Sequence, residues 1–167
     1  NPNNPTGSLA PVGHLLEIGK KLLEQNIHFI LDEAFIDFLE DEEAYSFVPY
    51  LSDFANAIVV RSLTKFYAIP GLRLGYALGI HPCLAKINER RAPWTINALA
   101  LQALPVILKD RDYQTQTLKW LQKEKDFLYQ SLKTFSALSV LKPSVNYIFF
   151  QYTGSKDLRE ELWRHNI

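Results

Sequence analysis

Lys65 stands three residues after Ser62 and eight before Arg73, in a stretch that also holds Phe66, Tyr67 and Ile69. A lysine here is either an ordinary solvated surface charge or, among such neighbours, a partly buried group. Burial lowers its pKa and frees a neutral amine to attack a carbonyl. Asp32 and Glu33 close the apolar run Ile27-His28-Phe29-Ile30-Leu31. An acidic pair there serves either as a helix cap or ion-pair partner, or as a carboxylate aimed at a cation in a cleft. Ligands of open α/β sheets bind beyond the carboxyl ends of the strands. Asp32, Ser62 and Lys65 are therefore the first positions at which chemistry is expected. Other readings are weaker. Ser62-x-x-Lys65 matches the serine–lysine motif of penicillin-binding enzymes, but the companion Ser-Asp-Asn and Lys-Thr-Gly triplets are absent. Gly71-x-x-x-Gly75 lacks both the P-loop lysine and the dinucleotide spacing. His14, His28, His81 and His165 are scattered without metal-ligand spacing, and Glu40 to Glu43 reads as a solvated run.

The surrounding pattern supplies the elements that must hold these residues. Asn1 to Gly7 is a turn-rich opening. Leu15, Leu16, Ile18, Leu22 and Leu23 recur at helical spacing between Pro11 and Asn26. Ile27–Leu31 and Ala57–Val60 read as buried strands, and Leu74–Gly79 as a third. Helical patterns follow at Pro82–Arg91, Ile96–Leu108 and about Asp112–Phe135. Leu138–Leu141 and Val145–Gln151 read as strands joined by a Lys-Pro-Ser turn, and Ser155 as the cap of a last helix. Strands alternating with helices predict an α/β fold. The long helix and the hairpin-like pair after it suggest that a second, smaller unit begins near Asp112, which divides the chain into residues 1–111 and 112–167.

Composition narrows the function. Hydrophobic residues make up 47% and charged residues 22%, which excludes a disordered chain. Lys and Arg (18) balance Asp and Glu (18), so no electrostatic footprint for nucleic acid is expected. Cys83 is the only cysteine, which excludes an internal disulfide and a cysteine-built zinc site. No apolar run approaches the ~20 residues of a membrane span, so no membrane partner and a cytoplasmic location are expected. The chain holds no methionine and starts at Asn1, so it is expected to be processed, cut, or a fragment of something longer.

Taken together, these segments resemble the class I/II aminotransferase group of pyridoxal-phosphate enzymes. Asn1-Pro2-Asn3-Asn4-Pro5-Thr6-Gly7 is similar to that group's Asn-Pro-x-Asn-Pro-Thr-Gly turn, and Asp32-Glu33-Ala34-Phe35 to its Asp-Glu-Ala-Tyr strand end. Ser62-Leu63-Thr64-Lys65 and Gly71-Leu72-Arg73-Leu74-Gly75-Tyr76 resemble its Ser-x-x-Lys loop and the arginine that follows. Within the group, Arg61 to Arg73, Asp32 to Phe38 and Pro93 to Ala100 are most similar to the threonine-phosphate decarboxylase branch. Phe35 departs from the tyrosine of the wider group, so it brings no phenol hydroxyl to the cofactor.

The resemblance implies roles. Lys65 would bond the cofactor aldehyde, and Asp32 would face the pyridine nitrogen and keep it protonated. Asn4 would meet ring oxygen O3′ and lie near the substrate. Ser62 and Arg73 would bind the cofactor phosphate, which suits the guanidinium fork. The implied fold is part of a pyridoxal-phosphate transferase domain with a mainly parallel sheet. The implied activity is decarboxylation of L-threonine O-3-phosphate in cobalamin biosynthesis, by a homodimer with Pro93 to Asn97 near the interface. A histidinol-phosphate-type aminotransferase remains open. So does an isolated chain that is inactive because the rest of the site lies outside it.

Overall fold

The computed structural model describes residues 1–167. Helix α1 (Val12–Glu24) starts directly after Pro11, and Asn26 ends the turn beyond it with a left-handed φ of 55°. A three-stranded sheet follows, from β1 (Phe29–Asp32), β2 (Ala57–Ser62) and β3 (Gly75–Leu78), in the order β1-β2-β3. β1 and β2 are parallel, with Leu31 opposite Val59 and Asp32 opposite Val60. β3 runs antiparallel to β2, with Tyr76 opposite Arg61 and Gly75 opposite Ser62. The architecture is mixed α/β, and within this chain the sheet contains one pairing of each kind.

Within this chain β1 is covered on one face only. Successive side chains alternate faces. Leu31 is buried, whereas Ile30 is 65% exposed and Asp32 shares its face. The covered face carries the core: Leu15 of α1, Leu31, Phe47, Leu51, Phe54, Ala57 and Val59. Gly19 lets α1 approach this core, since a Cβ there would sit 2.9 Å from the Phe54 ring.

A single helical turn, α2 (Leu63–Phe66), continues β2, and a short 3-10 turn at Pro70–Leu72 leads to β3. Then come α3 (Pro82–Arg90), α4 (Ala98–Ile107) and the long α5 (Arg111–Lys133). Leu121 of α5 and Val145 pack with Ile36, Phe38, Leu39 and Phe66 in a second core. β4 (Leu138–Val140) pairs antiparallel with β5 (Phe150–Tyr152).

Two expectations are corrected here. The last strand is only Phe150–Tyr152, because Val145 turns into the core and Tyr147 bonds to the Asn1–Gly7 turn, so neither is free to join the ladder. Helix α6 (Leu158–Arg164) is capped by Asp157, whose Oδ1 accepts the Glu160 amide at 3.2 Å; Ser155 does not cap it. No helix is long and apolar enough to cross a membrane.

Candidate active site

β1 ends at Asp32 with its carboxylate on the open face, where Oδ1 accepts the Ala34 amide at 2.9 Å. β2 ends at Ser62, which caps α2: Ser62 Oγ accepts the Thr64 amide at 3.4 Å. Residues three apart on a helical turn are neighbours, so Lys65 folds back onto its own cap. Lys65 Nζ donates to Ser62 Oγ at 3.1 Å and lies 5.4 Å from the centroid of the Phe35 ring. Of the two alternatives for Lys65, this chain shows the exposed one. The apolar residues around it, Leu63 and Phe66, point inward and leave Lys65 on the outer side of the turn.

Asn4 reaches the same cleft from the opening turn. Asn1 anchors that turn: its Oδ1 accepts the Ala10 amide at 2.9 Å, and its Nδ2 donates to the Ala10 carbonyl at 3.0 Å and the Tyr45 carbonyl at 3.2 Å. Gly7, buried with a φ of 71°, closes it through an amide bond to the Asn3 carbonyl at 2.8 Å. Two residues far along the chain hold it from outside. Ser144 Oγ donates to the Gly7 carbonyl at 2.6 Å, and the Tyr147 hydroxyl donates to the Asn3 carbonyl at 2.7 Å. Tyr147 also packs edge-on against Phe35, with centroids 5.1 Å apart. The sequence reading missed both residues, having placed Tyr147 inside a strand.

The structure thus gathers Asn4, Asp32, Phe35 and Lys65 around one cleft of about 410 Å³, with Ser62 bonded to Lys65 at its edge. A second hollow of about 470 Å³ adjoins Lys65 on the side of Tyr113, Trp120 and Asn146. Arg73 is not drawn into these contacts. It follows the Pro70–Leu72 turn with a φ of 51°, and its Nη1 donates to the Pro70 carbonyl at 3.2 Å. It is placed near by topology alone, two residues before Gly75, the partner of Ser62.

Behind this cleft, on the covered face, lies a charged cluster. Glu33 is fully buried. Its Oε2 accepts Arg61 Nε at 3.0 Å, Arg61 Nη2 at 2.8 Å and Ser46 Oγ at 3.1 Å, and its Oε1 accepts the Phe47 amide at 2.7 Å. Arg61 Nη2 also lies 2.7 Å from Glu42, and Nη1 lies 4.0 Å from Asp37. Burial alone would disfavour the charge on Arg61, but Glu42 and Glu33 outweigh it and raise the pKa above the ordinary value. Asp37 receives the weakest share of that guanidinium. Burial pushes its carboxyl up to about 6, with Arg61 only partly opposing. Burial likewise raises the phenol of Tyr147.

The sequence profile of the family described as aminotransferase class I and II matches residues 1–167. The chain belongs to the class I and II aminotransferase family. A threonine-phosphate decarboxylase of Salmonella typhimurium is 43% identical over 151 residues, covering 90% of this chain and 41% of that protein. A histidinol-phosphate aminotransferase of Oleidesulfovibrio alaskensis is 35% identical over 150 residues, covering 89% of this chain and 38% of that protein. The chain therefore spans less than half the length of these curated relatives. The crystal structure of a histidinol-phosphate aminotransferase from Clostridium acetobutylicum superposes with a TM-score of 0.93 at 32% identity, over 100% of this chain and 51% of that one. The fold is that of the pyridoxal-phosphate-dependent aminotransferases, and the family depends on that cofactor.

The residues present fit the cofactor in chemical type. An amine, a carboxylate, a hydroxyl and an amide converge on a cleft open on one side. Gly75 has a matching constraint: a Cβ there would meet the Arg61 carbonyl at 2.8 Å, so β3 closes against the Ser62 strand end only as glycine.

Proposed function

We propose that the protein carrying this chain is a pyridoxal-phosphate-dependent decarboxylase that converts L-threonine O-3-phosphate to aminopropanol phosphate and carbon dioxide, in cobalamin biosynthesis. The observation that carries the reading is the cleft itself, which Asn4, Asp32 and Lys65 line together, with Lys65 Nζ 5.4 Å from the centroid of the Phe35 ring. Phe35 leaves no phenol at that point. The higher identity to the Salmonella decarboxylase supports the choice of reaction.

The roles follow from residue chemistry. Lys65 would hold the cofactor, and its Nζ is the group placed to hold or deliver a proton at the substrate α-carbon. Ser62 Oγ, already bonded to Nζ, orients the amine. Asp32 sets a fixed negative charge opposite the pyridine nitrogen. At ~4 Å and an effective dielectric near 20 that charge is worth about 4 kcal/mol to a protonated ring. Asn4 would hold ring oxygen O3′, and Ser62 with Arg73 would hold the phosphate. The bound cofactor supplies an electron sink when a bond at the α-carbon breaks.

The same reading assigns residues 1–111 to the large domain and 112–167 to the linking helix and the start of the small one. It places the protein in the cytoplasm as a homodimer. Trp94, 94% exposed, and Asn97 sit near the subunit border.

A second reading, a histidinol-phosphate-type aminotransferase, is favoured by the superposition on the Clostridium acetobutylicum enzyme. The products separate the two. The full-length protein is expected to release carbon dioxide from L-threonine O-3-phosphate through many turnovers without a keto acid. Arrest after one equivalent, with turnover restored by 2-oxoglutarate, selects the aminotransferase. Borohydride reduction followed by peptide mapping is expected to label Lys65; label on Lys86 or Lys109 overturns the site.

A further inference from the structure

Glu33 and Arg61 take no part in the chemistry assigned above, yet each is the chain neighbour of a residue that does. Glu33 follows Asp32, and Arg61 precedes Ser62. β1 and β2 are parallel and in register through Asp32 opposite Val60, and the ladder extends one step further through the Glu33 amide, which donates to the Val60 carbonyl at 2.8 Å. Side chains along a strand alternate between faces. Leu31, Glu33, Val59 and Arg61 therefore share the covered face, and Asp32 and Ser62 share the open one. A slip of either strand end by one residue would exchange the faces and withdraw the carboxylate or the hydroxyl from the cleft.

A strand end is where such a slip is cheapest, because the ladder stops there. β1 stops at Asp32 and β2 at Ser62. At this point two nitrogens of the guanidinium, Nε at 3.0 Å and Nη2 at 2.8 Å, donate to one carboxylate oxygen, Oε2. Both side chains are shielded, 9% and 0% exposed. The second Glu33 oxygen is held by the Phe47 amide at 2.7 Å, so the carboxylate cannot swing away. Gly75 seats β3 against the Arg61 carbonyl from the other side. A buried ion pair of this kind is poor evidence of net stabilisation, whereas fixing one arrangement among several is a role such pairs can fill.

We infer that the Glu33–Arg61 pair is a positioning clasp: by joining the two strand ends on the covered face, it sets Asp32 and Ser62 on the cleft face at the separation the cofactor requires. The inference rests on the cofactor site proposed above. Glu33 and Arg61 touch neither cofactor nor substrate; they act through Asp32 and Ser62.

The test uses the full-length holoenzyme. Glu33→Gln keeps the size and the oxygen that accepts the Phe47 amide but removes the charge. Arg61→Lys keeps the charge but removes the fork, and it reads the same quantities should Glu33→Gln not fold. Three measurements are made: the dissociation constant of pyridoxal phosphate, the pH midpoint of the bound-cofactor absorbance, and the melting temperature of the apoprotein. Each variant is expected to bind the cofactor more weakly, to move the absorbance midpoint in the same direction as Asp32→Asn, and to lower kcat by roughly tenfold to a hundredfold, as small misplacements of reacting groups do. In an Asp32→Asn background, Glu33→Gln is expected to add little to the midpoint shift, because the residue through which it acts is already disabled. A lowered melting temperature with unchanged affinity and midpoint overturns the inference and leaves the proposed function standing. So does a midpoint shift by Glu33→Gln that is equally large with and without Asp32. A wild-type protein lacking a lysine-linked cofactor band overturns the proposed function, and the inference with it.

Discussion

Asp32 and Glu33 are the same kind of group, one residue apart, and they live in opposite surroundings. Asp32 faces the open cleft and accepts a single hydrogen bond, from the Ala34 amide. Glu33 is sealed on the covered face and accepts four, two from Arg61 and one each from Ser46 and Phe47. The difference is one step of strand pleat. The ion-pair reading of an acidic pair holds for Glu33, which is joined to Arg61 on the face packed under α1, while Asp32 lines the open cleft.

The comparison breaks most visibly on the covered side. Glu33→Ala removes one of the two carboxylates in close contact with Arg61 and leaves Glu42, 2.7 Å from Nη2, beside it. Removing one partner of a buried pair typically costs about 3–5 kcal/mol, and the remaining carboxylate sets the expected loss at the lower end of that range. Chemical denaturation of the full-length apoprotein is expected to show a loss of that order, whereas Asp32→Ala loses no more than ~0.5 kcal/mol, as surface substitutions do. Equal losses would erase the distinction between the two faces.

On the cleft side the expectation reverses. Asp32→Asn is nearly isosteric and keeps the oxygen that accepts the Ala34 amide. Melting is expected to stay close to wild type while turnover falls by about two orders of magnitude, or ~2.7 kcal/mol of transition-state stabilisation. Turnover within a factor of about three of wild type would reduce Asp32 to a turn-capping residue.

Sequence made some of this arrangement legible and hid the rest, for physical reasons. Asp32, Ser62 and Lys65 were visible because strand ends announce themselves: an apolar run stops and a polar residue follows. Apolar neighbours leave the burial of Lys65 open in the sequence; on a single turn Leu63 and Phe66 take the inward positions and the lysine is left outside. The one-sided exposure of β1 was hidden because Ile30 is as apolar as Leu31, and only the packing of α1 reveals which face is covered. Ser144 and Tyr147 were out of reach altogether. Their bonds to the opening turn span 137 and 144 positions of chain and leave no local pattern.

A smaller effect sharpens the covered side. Asp37 shares Arg61 with Glu33 and Glu42 and receives the least of it, at 4.0 Å. Burial raises its carboxyl from 3.8 to about 6. The folded protein therefore holds this proton more tightly than the unfolded chain does. The stability this provides is complete below about pH 4 and is lost as pH rises through about 6. Asp37→Asn, which cannot ionise, is expected to match wild type near pH 4 and to exceed it at pH 8, by on the order of 1–3 kcal/mol. Melting curves across that range check it. A variant that is less stable than wild type at pH 8 would mean that Arg61 needs Asp37 as a partner.

The smallest expected effect belongs to the cleft side, at the far end of the chain. The Tyr147 hydroxyl donates to the Asn3 carbonyl at 2.7 Å, while its ring packs edge-on against Phe35, the ring beneath Lys65. Tyr147→Phe removes the bond and keeps the packing. The Asn3 carbonyl already accepts the Gly7 amide, and Asn3 is exposed, so water can replace the lost donor. A neutral hydrogen bond under these conditions contributes about 0.5–1.5 kcal/mol, here at the lower end. Melting is expected to fall by that amount, with cofactor affinity reduced no more than about threefold. Ser144 still ties Gly7 and keeps the turn that presents Asn4 in place. A loss of cofactor binding in Tyr147→Phe comparable to that of Asp32→Asn would show that the hydroxyl, and not the aromatic packing, sets the position of Asn4.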